Sequence, residues 1–159
     1  MSCTKNKSIK PNQYESFLSQ LEAESKVYKK ITNPCREDYQ NKKQHYWLVN
    51  SLKAFNEVFN VIQIRVPLLA LFASREKGIL KEKKFKEVIV YLENFHFAYN
   101  AILALRPNSI DPIYTKFAVA LRKCATASEV NDVIQNKLFK PLDALFKDTV
   151  KKDERLPYL

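Results

Sequence analysis

Two histidines, three cysteines and two knots of basic side chains are the groups in this chain whose types could support chemistry. Acid–base, nucleophilic or metal chemistry needs such groups to converge, and convergence within one element shows as spacing in the sequence. His45 and His96 fall on different predicted helices, and no Cys or carboxylate stands at metal-ligand spacing from His96. There is no C-x-x-C and no H-E-x-x-H, so no zinc pattern is present. Helical ribonucleases that place an Arg shortly before a His are excluded too, because neither histidine has an Arg at that spacing. His96 stands inside an apolar helical stripe. A buried imidazole with satisfied hydrogen bonds is the expected state there, with a ligand or acid–base role as the alternative. Asn94, beside Glu93 at the edge of that stripe, is expected to make a helix–helix hydrogen bond. Cys3, Cys35 and Cys124 are odd in number and scattered, which points to no disulfide framework and suits a reducing cytoplasm.

The basic side chains form two clusters. Arg75, Lys77, Lys81, Lys83, Lys84 and Lys86 surround Gly78, offset by Glu76, Glu82 and Glu87. Lys26, Lys29, Lys30, Arg36, Lys42 and Lys43 surround Pro34, offset by Glu37 and Asp38. The chain as a whole carries a formal charge of +10, from 27 Lys and Arg against 17 Asp and Glu. Lysines at loop edges hold phosphates rather than read base edges, so such corners would grip a nucleic-acid backbone without sequence preference. The plain alternative is a solvated helix–turn–helix corner, which uses the same lysines for solubility.

These groups must be positioned by helices. Gly78 is the single glycine in 159 residues, and phosphate-cradling loops and tight hairpins depend on glycine for positive φ or close approach. The apolar residues recur instead at three- and four-residue steps. The spacing predicts a helix over 13–31 with Tyr14, Phe17, Leu18, Leu21, Tyr28 and Ile31 on one stripe, stopped by Asn33-Pro34. A second helix is predicted over 37–64, its core face formed by Leu48, Leu52, Phe55, Phe59 and Ile62, with Trp47, Ser51, Ala54 and Val58 beside it. Pro67 opens a third that ends at a left-handed cap on Gly78. The fourth, over about 82–105, has the most regular stripe (Phe85, Val88, Ile89, Leu92, Phe95, His96, Tyr99, Ile102 and Leu103). Val90, Phe97, Ala98 and Ala101 add apolar surface on its other sides, so it is expected to be central and packed by several neighbours. Asp111 as N-cap and Pro112 open a fifth, and Ser128 is expected to cap a sixth that Pro141 kinks or restarts.

The expected architecture is therefore all-α: a compact bundle of about six helices in a single domain over 13–150, preceded by a flexible basic leader (1–12) and followed by a frayed charged tail (151–159). No repeat period stands out. The longest apolar run, Val66 to Ala73, is too short to span a bilayer, and the polar, Lys-rich start carries no secretory signal, so a cytoplasmic protein without membrane contact is expected.

The stretch from about His45 to Val150 resembles the helical middle region of modification-dependent restriction enzymes of the GmrSD type and their anti-phage relatives. The residues that carry the likeness are Phe59-Asn60, Arg65-Val66-Pro67-Leu68-Leu69-Ala70-Leu71, Tyr91-Leu92-Glu93-Asn94-Phe95-His96-Phe97, Leu105-Arg106 with Asn108, and Phe117-Ala118. Members of that family add a ParB-like nucleotidase domain with an Asp-Gly-Gln-Gln-Arg motif and an HNH nuclease domain. This chain has no Asp-Gly pair, and neither histidine heads an HNH-like motif. The resemblance thus implies a non-catalytic module, with no catalytic residue, cofactor or metal to carry over. Its implied partners are DNA and a protein subunit supplying the missing nucleotidase or HNH part. A free-standing basic nucleic-acid-binding protein is the other reading.

Overall fold

The computed structural model describes residues 11–105 and 107–152. Among them there is no strand; seven α-helices and short 3-10 and π turns make six rods around one apolar core. The expected bundle is therefore found. Residues 1–10 of the predicted leader, with Cys3, and residues 153–159 of the predicted tail lie outside the described residues. Pro11 and Asn12 are already helical, as are Lys151 and Lys152.

Helix α1 (Pro11–Thr32) is stopped at Asn33-Pro34, where Thr32 turns its hydroxyl back onto the Tyr28 carbonyl at 2.9 Å. It meets the core only through Val27 and Ile31. The stripe predicted to face inward, Tyr14, Phe17, Leu18, Leu21 and Tyr28, is exposed. At 100° per residue, Ala23, Val27 and Ile31 lie on one line of the helix and this stripe lies roughly a quarter turn away, so one neighbour cannot cover both.

The predicted second helix is broken into pieces. Gln40 and Asn41 both take left-handed conformations, which no α-helix accommodates, and Tyr39 is the only large apolar side chain between Glu37 and Gln44. Two 3-10 turns (Glu37–Tyr39 and Lys43–His45) fill this stretch before α2 (Tyr46–Lys53). A π turn (Ala54–Val58) and a 3-10 turn (Ile62–Ile64) follow. Leu48, Ser51, Leu52 and Phe55 are buried as expected, but Val58 and Ile62 are exposed, because a π turn holds an extra residue and shifts the phase of everything after it.

Helix α3 (Arg65–Glu76) carries Pro67 in its first turn and ends at Gly78, whose φ of 73° makes the expected cap. The Gly78 N–H bonds the Arg75 carbonyl and the Leu80 N–H bonds that of Ser74, satisfying carbonyls the helix end would orphan. In α4 (Glu82–His96), Phe85, Val88, Ile89, Leu92, Phe95 and His96 are buried as expected. Each fully buried Phe or Leu contributes about 1.5–3 kcal/mol relative to exposure. The α-helix then widens into a second π turn (Phe97–Ile102) that buries Tyr99. Val90, Phe97, Ala101 and Ile102 are exposed, so α4 is packed on one side and not all round.

Helix α5 (Asp111–Lys123) begins with Ile110 at the cap position, and Asp111 is its first helical residue rather than its cap. The sixth rod joins α6 (Ala127–Val133), a third π turn (Ile134–Phe139) and α7 (Lys140–Lys152). Its cap is Thr126, not Ser128: Thr126 accepts from the Glu129 N–H while Glu129 accepts from the Thr126 N–H. This reciprocal pair satisfies two donors at once.

A likeness between α2 and α4, unseen in the sequence, emerges at their ends. Trp47-Leu48, Asn50 and Ala54-Phe55-Asn56 match Tyr91-Leu92, Asn94 and Ala98-Tyr99-Asn100 in register. Both helices close with the same bonds: Phe59 N–H to Ala54 and Val61 N–H to Phe55 in one, Leu103 N–H to Ala98 and Leu105 N–H to Tyr99 in the other. Asn60 and Ala104 are left-handed at matching positions. Each is followed by a helix with proline in its first turn, α3 or α5.

Candidate functional site

His96 is wholly buried, ringed by Phe55, Phe59, Phe95 and Tyr114. Its Nδ1 lies 2.6 Å from Asn100 Oδ1 and its Nε2 2.6 Å from the Tyr114 hydroxyl. Asn100 donates its amide to the Leu105 carbonyl at 2.9 Å, which leaves Oδ1 as an acceptor. The chain of bonds therefore has one direction: Tyr114 O–H donates to Nε2, Nδ1–H donates to Asn100, and Asn100 donates to the backbone. Burial holds the imidazole down to a pKa of about 4 and pushes the Tyr114 phenol well up. Neutral His96 has both nitrogens occupied and no face open to a substrate. It pins α4, α5 and the second π turn together, which is the structural role expected of it.

The other groups on α4 divide differently from expectation. Asn94 is exposed and makes no cross-helix bond. Its neighbour Glu93 does, accepting from the buried Ser51 hydroxyl at 2.6 Å across the α2–α4 seam. Tyr91 donates to Asp143 at 2.6 Å and stacks on Phe139 with centroids 4.1 Å apart, tying α4 to α7. Cys35 and Cys124 are free thiols, and Cys35 donates to Asp38. No group of three or more metal-ligating side chains converges among the described residues, and no described helix is long and apolar enough to cross a membrane.

The basic clusters are where the structure adds most. At the Gly78 corner, Arg75 bridges Glu82 at 2.7 Å and lies over the Phe85 ring. Lys84 bridges Glu87 at 2.6 Å with its stem against Phe139, and Lys86 lies over Trp47. Lys77, Lys81 and Lys83 are exposed and carry no ion pair. At the Pro34 corner, Lys26 bridges Glu22, Lys30 lies over Tyr39 and Arg36 over Tyr46, while Lys29, Lys42 and Lys43 are exposed and unpaired. Each corner thus mixes cations engaged in packing with cations facing water.

The two corners, far apart in sequence, meet. Lys30 and Tyr39 from one and Arg75 and Glu76 from the other line a single cavity of about 230 Å³, floored by Val27 and Phe72. The Tyr39 hydroxyl is buried there without a hydrogen-bond partner. Burial pushes its pKa up to about 12 against the pull of Arg75, so it stays a neutral O–H donor. A wider cleft of about 510 Å³ continues between α1, α3 and α5, where Gln20, Glu24, Ser74 and Lys77 are among the lining residues and Glu24 pairs with Arg122 at 2.6 Å. Tyr39 carried no signal in the sequence, lying in a polar stretch without periodicity.

Compared with known protein families, curated proteins and solved structures, the chain matches none.

Proposed function

We propose that this chain is a non-catalytic helical module of the kind found in DNA restriction and phage-defence proteins, working through contacts with a partner subunit and with the DNA backbone. One observation carries the reading. The residues that resemble the restriction family are builders of the interior: Pro67, Leu68, Ala70 and Leu71 in α3, Leu92, Phe95 and His96 in α4, and Phe117 and Ala118 in α5 are buried. A likeness seated in the core is a likeness of scaffold, and the one histidine within it is sealed. Its work then falls to its surfaces, and turnover to a protein that supplies the nucleotidase or HNH part. The purified chain should cleave neither plasmid DNA nor nucleoside triphosphates. Hydrolysis that persists in the His45→Ala, His96→Gln double variant would defeat the proposal.

A second reading, a free-standing nucleic-acid-binding protein, is favoured by the joined basic corners. Lys77, Lys81 and Lys83 would hold phosphates, and a phosphate oxygen in the Lys30–Arg75 cavity would take the unpartnered Tyr39 O–H. Fluorescence anisotropy with a labelled duplex at rising salt separates the two. Under this second reading, affinity falls linearly with salt on logarithmic axes, and Lys77→Glu with Lys81→Glu and Lys83→Glu removes about three units from the slope, near one per phosphate contact. Under the module reading the isolated chain binds weakly and the same variant changes little.

A further inference from the structure

We infer that the open face of α1 pairs with the α1 of a second copy of this chain, antiparallel and across a twofold axis. The face is the stripe Tyr14, Phe17, Leu18, Leu21 and Tyr28, which remain 51%, 61%, 59%, 53% and 42% exposed. They recur at three-, four- and seven-residue steps over about 21 Å of helix, the pattern of a surface that lies along another helix. Nothing in the bundle can reach it, because Val27 and Ile31 already fix which side of α1 faces the core.

The size suits a second chain. At about 150–250 Å² per large side chain, the exposed fractions leave roughly 500 Å² of open apolar surface. A contiguous patch of that size marks an interaction site. It supplies most of the roughly 800 Å² that each partner contributes to a stable interface, with the flanking polar residues adding the rest.

The charges choose the partner and its direction. Along the outer edge of the stripe, Glu15 and Glu22 occupy the N-terminal half of α1, and Lys26 and Lys29 the C-terminal half. Two such helices side by side and parallel would set like charges against like. Antiparallel about Leu21, they bring Glu15 and Glu22 of each beside Lys26 and Lys29 of the other, as an isologous twofold contact requires. The existing Lys26–Glu22 bridge is highly exposed on both sides, so re-pairing loses little.

The test is the mass of the full chain in solution. Light scattering during gel filtration should give two chains per particle at about 100 µM, a concentration where interfaces of this size associate. Leu18→Glu with Leu21→Glu, both on the exposed face, should raise the dissociation constant at least ~100-fold while the helical circular-dichroism signal is retained. Glu15→Lys should weaken the dimer and Lys26→Glu in the same chain should restore it. In a background with Cys3, Cys35 and Cys124 changed to Ser, Leu21→Cys should oxidise to a symmetric dimer, the signature of antiparallel pairing about that residue. A wild-type chain that stays monomeric overturns the inference, even if its α1 captures some other protein. So does a dimer indifferent to the Leu18/Leu21 variant, or one that Lys26→Glu fails to rescue.

Discussion

Acid should weaken this protein through His96, by an amount the buried network sets. The imidazole titrates near 6.5 in an unfolded chain and near 4 when sealed against Phe55, Phe95 and Tyr114. Below pH 6.5 the unfolded chain takes up a proton that the folded chain refuses until about pH 4. Stability from this group is complete above 6.5 and is lost as the pH falls through that window. Between pH 7.5 and pH 5.0 the loss is about 2 kcal/mol, a sizeable share of the 5–15 kcal/mol that holds a typical domain together. Urea denaturation at the two pH values measures it, with His96→Gln as the reference. The amide does not titrate, so the variant should lose about 2 kcal/mol less than wild type over the same interval. At pH 7.5 the variant should itself be weaker by about 1–3 kcal/mol, since Gln cannot serve Tyr114 and Asn100 together. An NMR titration of the folded chain should show no His96 proton uptake above pH 5. A midpoint near 6.5, or equal acid losses in the two proteins, would refute the sealed-network account.

The left-handed positions and the caps give sharper, smaller effects. Ala104 has φ 52° and is exposed, so Ala104→Gly should stabilise by about 1 kcal/mol in urea melts, relieving a strain that only glycine escapes. Gly78→Ala should destabilise by about 1 kcal/mol although a Cβ there meets nothing within 4 Å, because the cost is in the backbone. Thr126→Ala should lose about 1 kcal/mol, whereas Ser128→Ala should stay within about 0.5 kcal/mol as an ordinary surface change; equal effects would relocate the start of α6.

Much of this was legible from the order of residues, and the failures share a cause. The stripe of α4 from Phe85 to His96 and the cap at Gly78 were readable because each depends on local spacing or on a single residue's φ. His96 was readable as structural because the residues three and four positions away are apolar. Val58 and Ile62 were placed inside because a period of 3.6 was carried through a π turn, and nothing in Ala54–Val58 marks where the ladder widens. The stripe of α1 misled for another reason. Periodicity reports that a face will be covered and is silent on by what, so Tyr14 to Leu21 looked like core. The meeting of Lys30 and Tyr39 with Arg75 is a tertiary event with no local signature. Ser128 lost to Thr126 because a cap is decided by the residue three places on, and Glu129 lies at that distance from Thr126.

The third π turn has a consequence for how this rod tolerates changes in length. Within Ile134–Phe139 the Lys140 N–H reaches back to the Gln135 carbonyl, one residue further than an α-helix allows, and Pro141 follows with no N–H to place. The segment is a helix storing one surplus residue at the point where an imino acid would otherwise crowd the turn before it. Loss of a single residue there would let the ladder revert to ordinary α geometry. Everything beyond would then swing by about 100°, carrying Leu142 out of the interior and bringing Asp143 toward it. The spare residue is thus the registration pin of the C-terminal rod, and the chain length between Val130 and Leu142 is as much a determinant of the fold as any side chain along it.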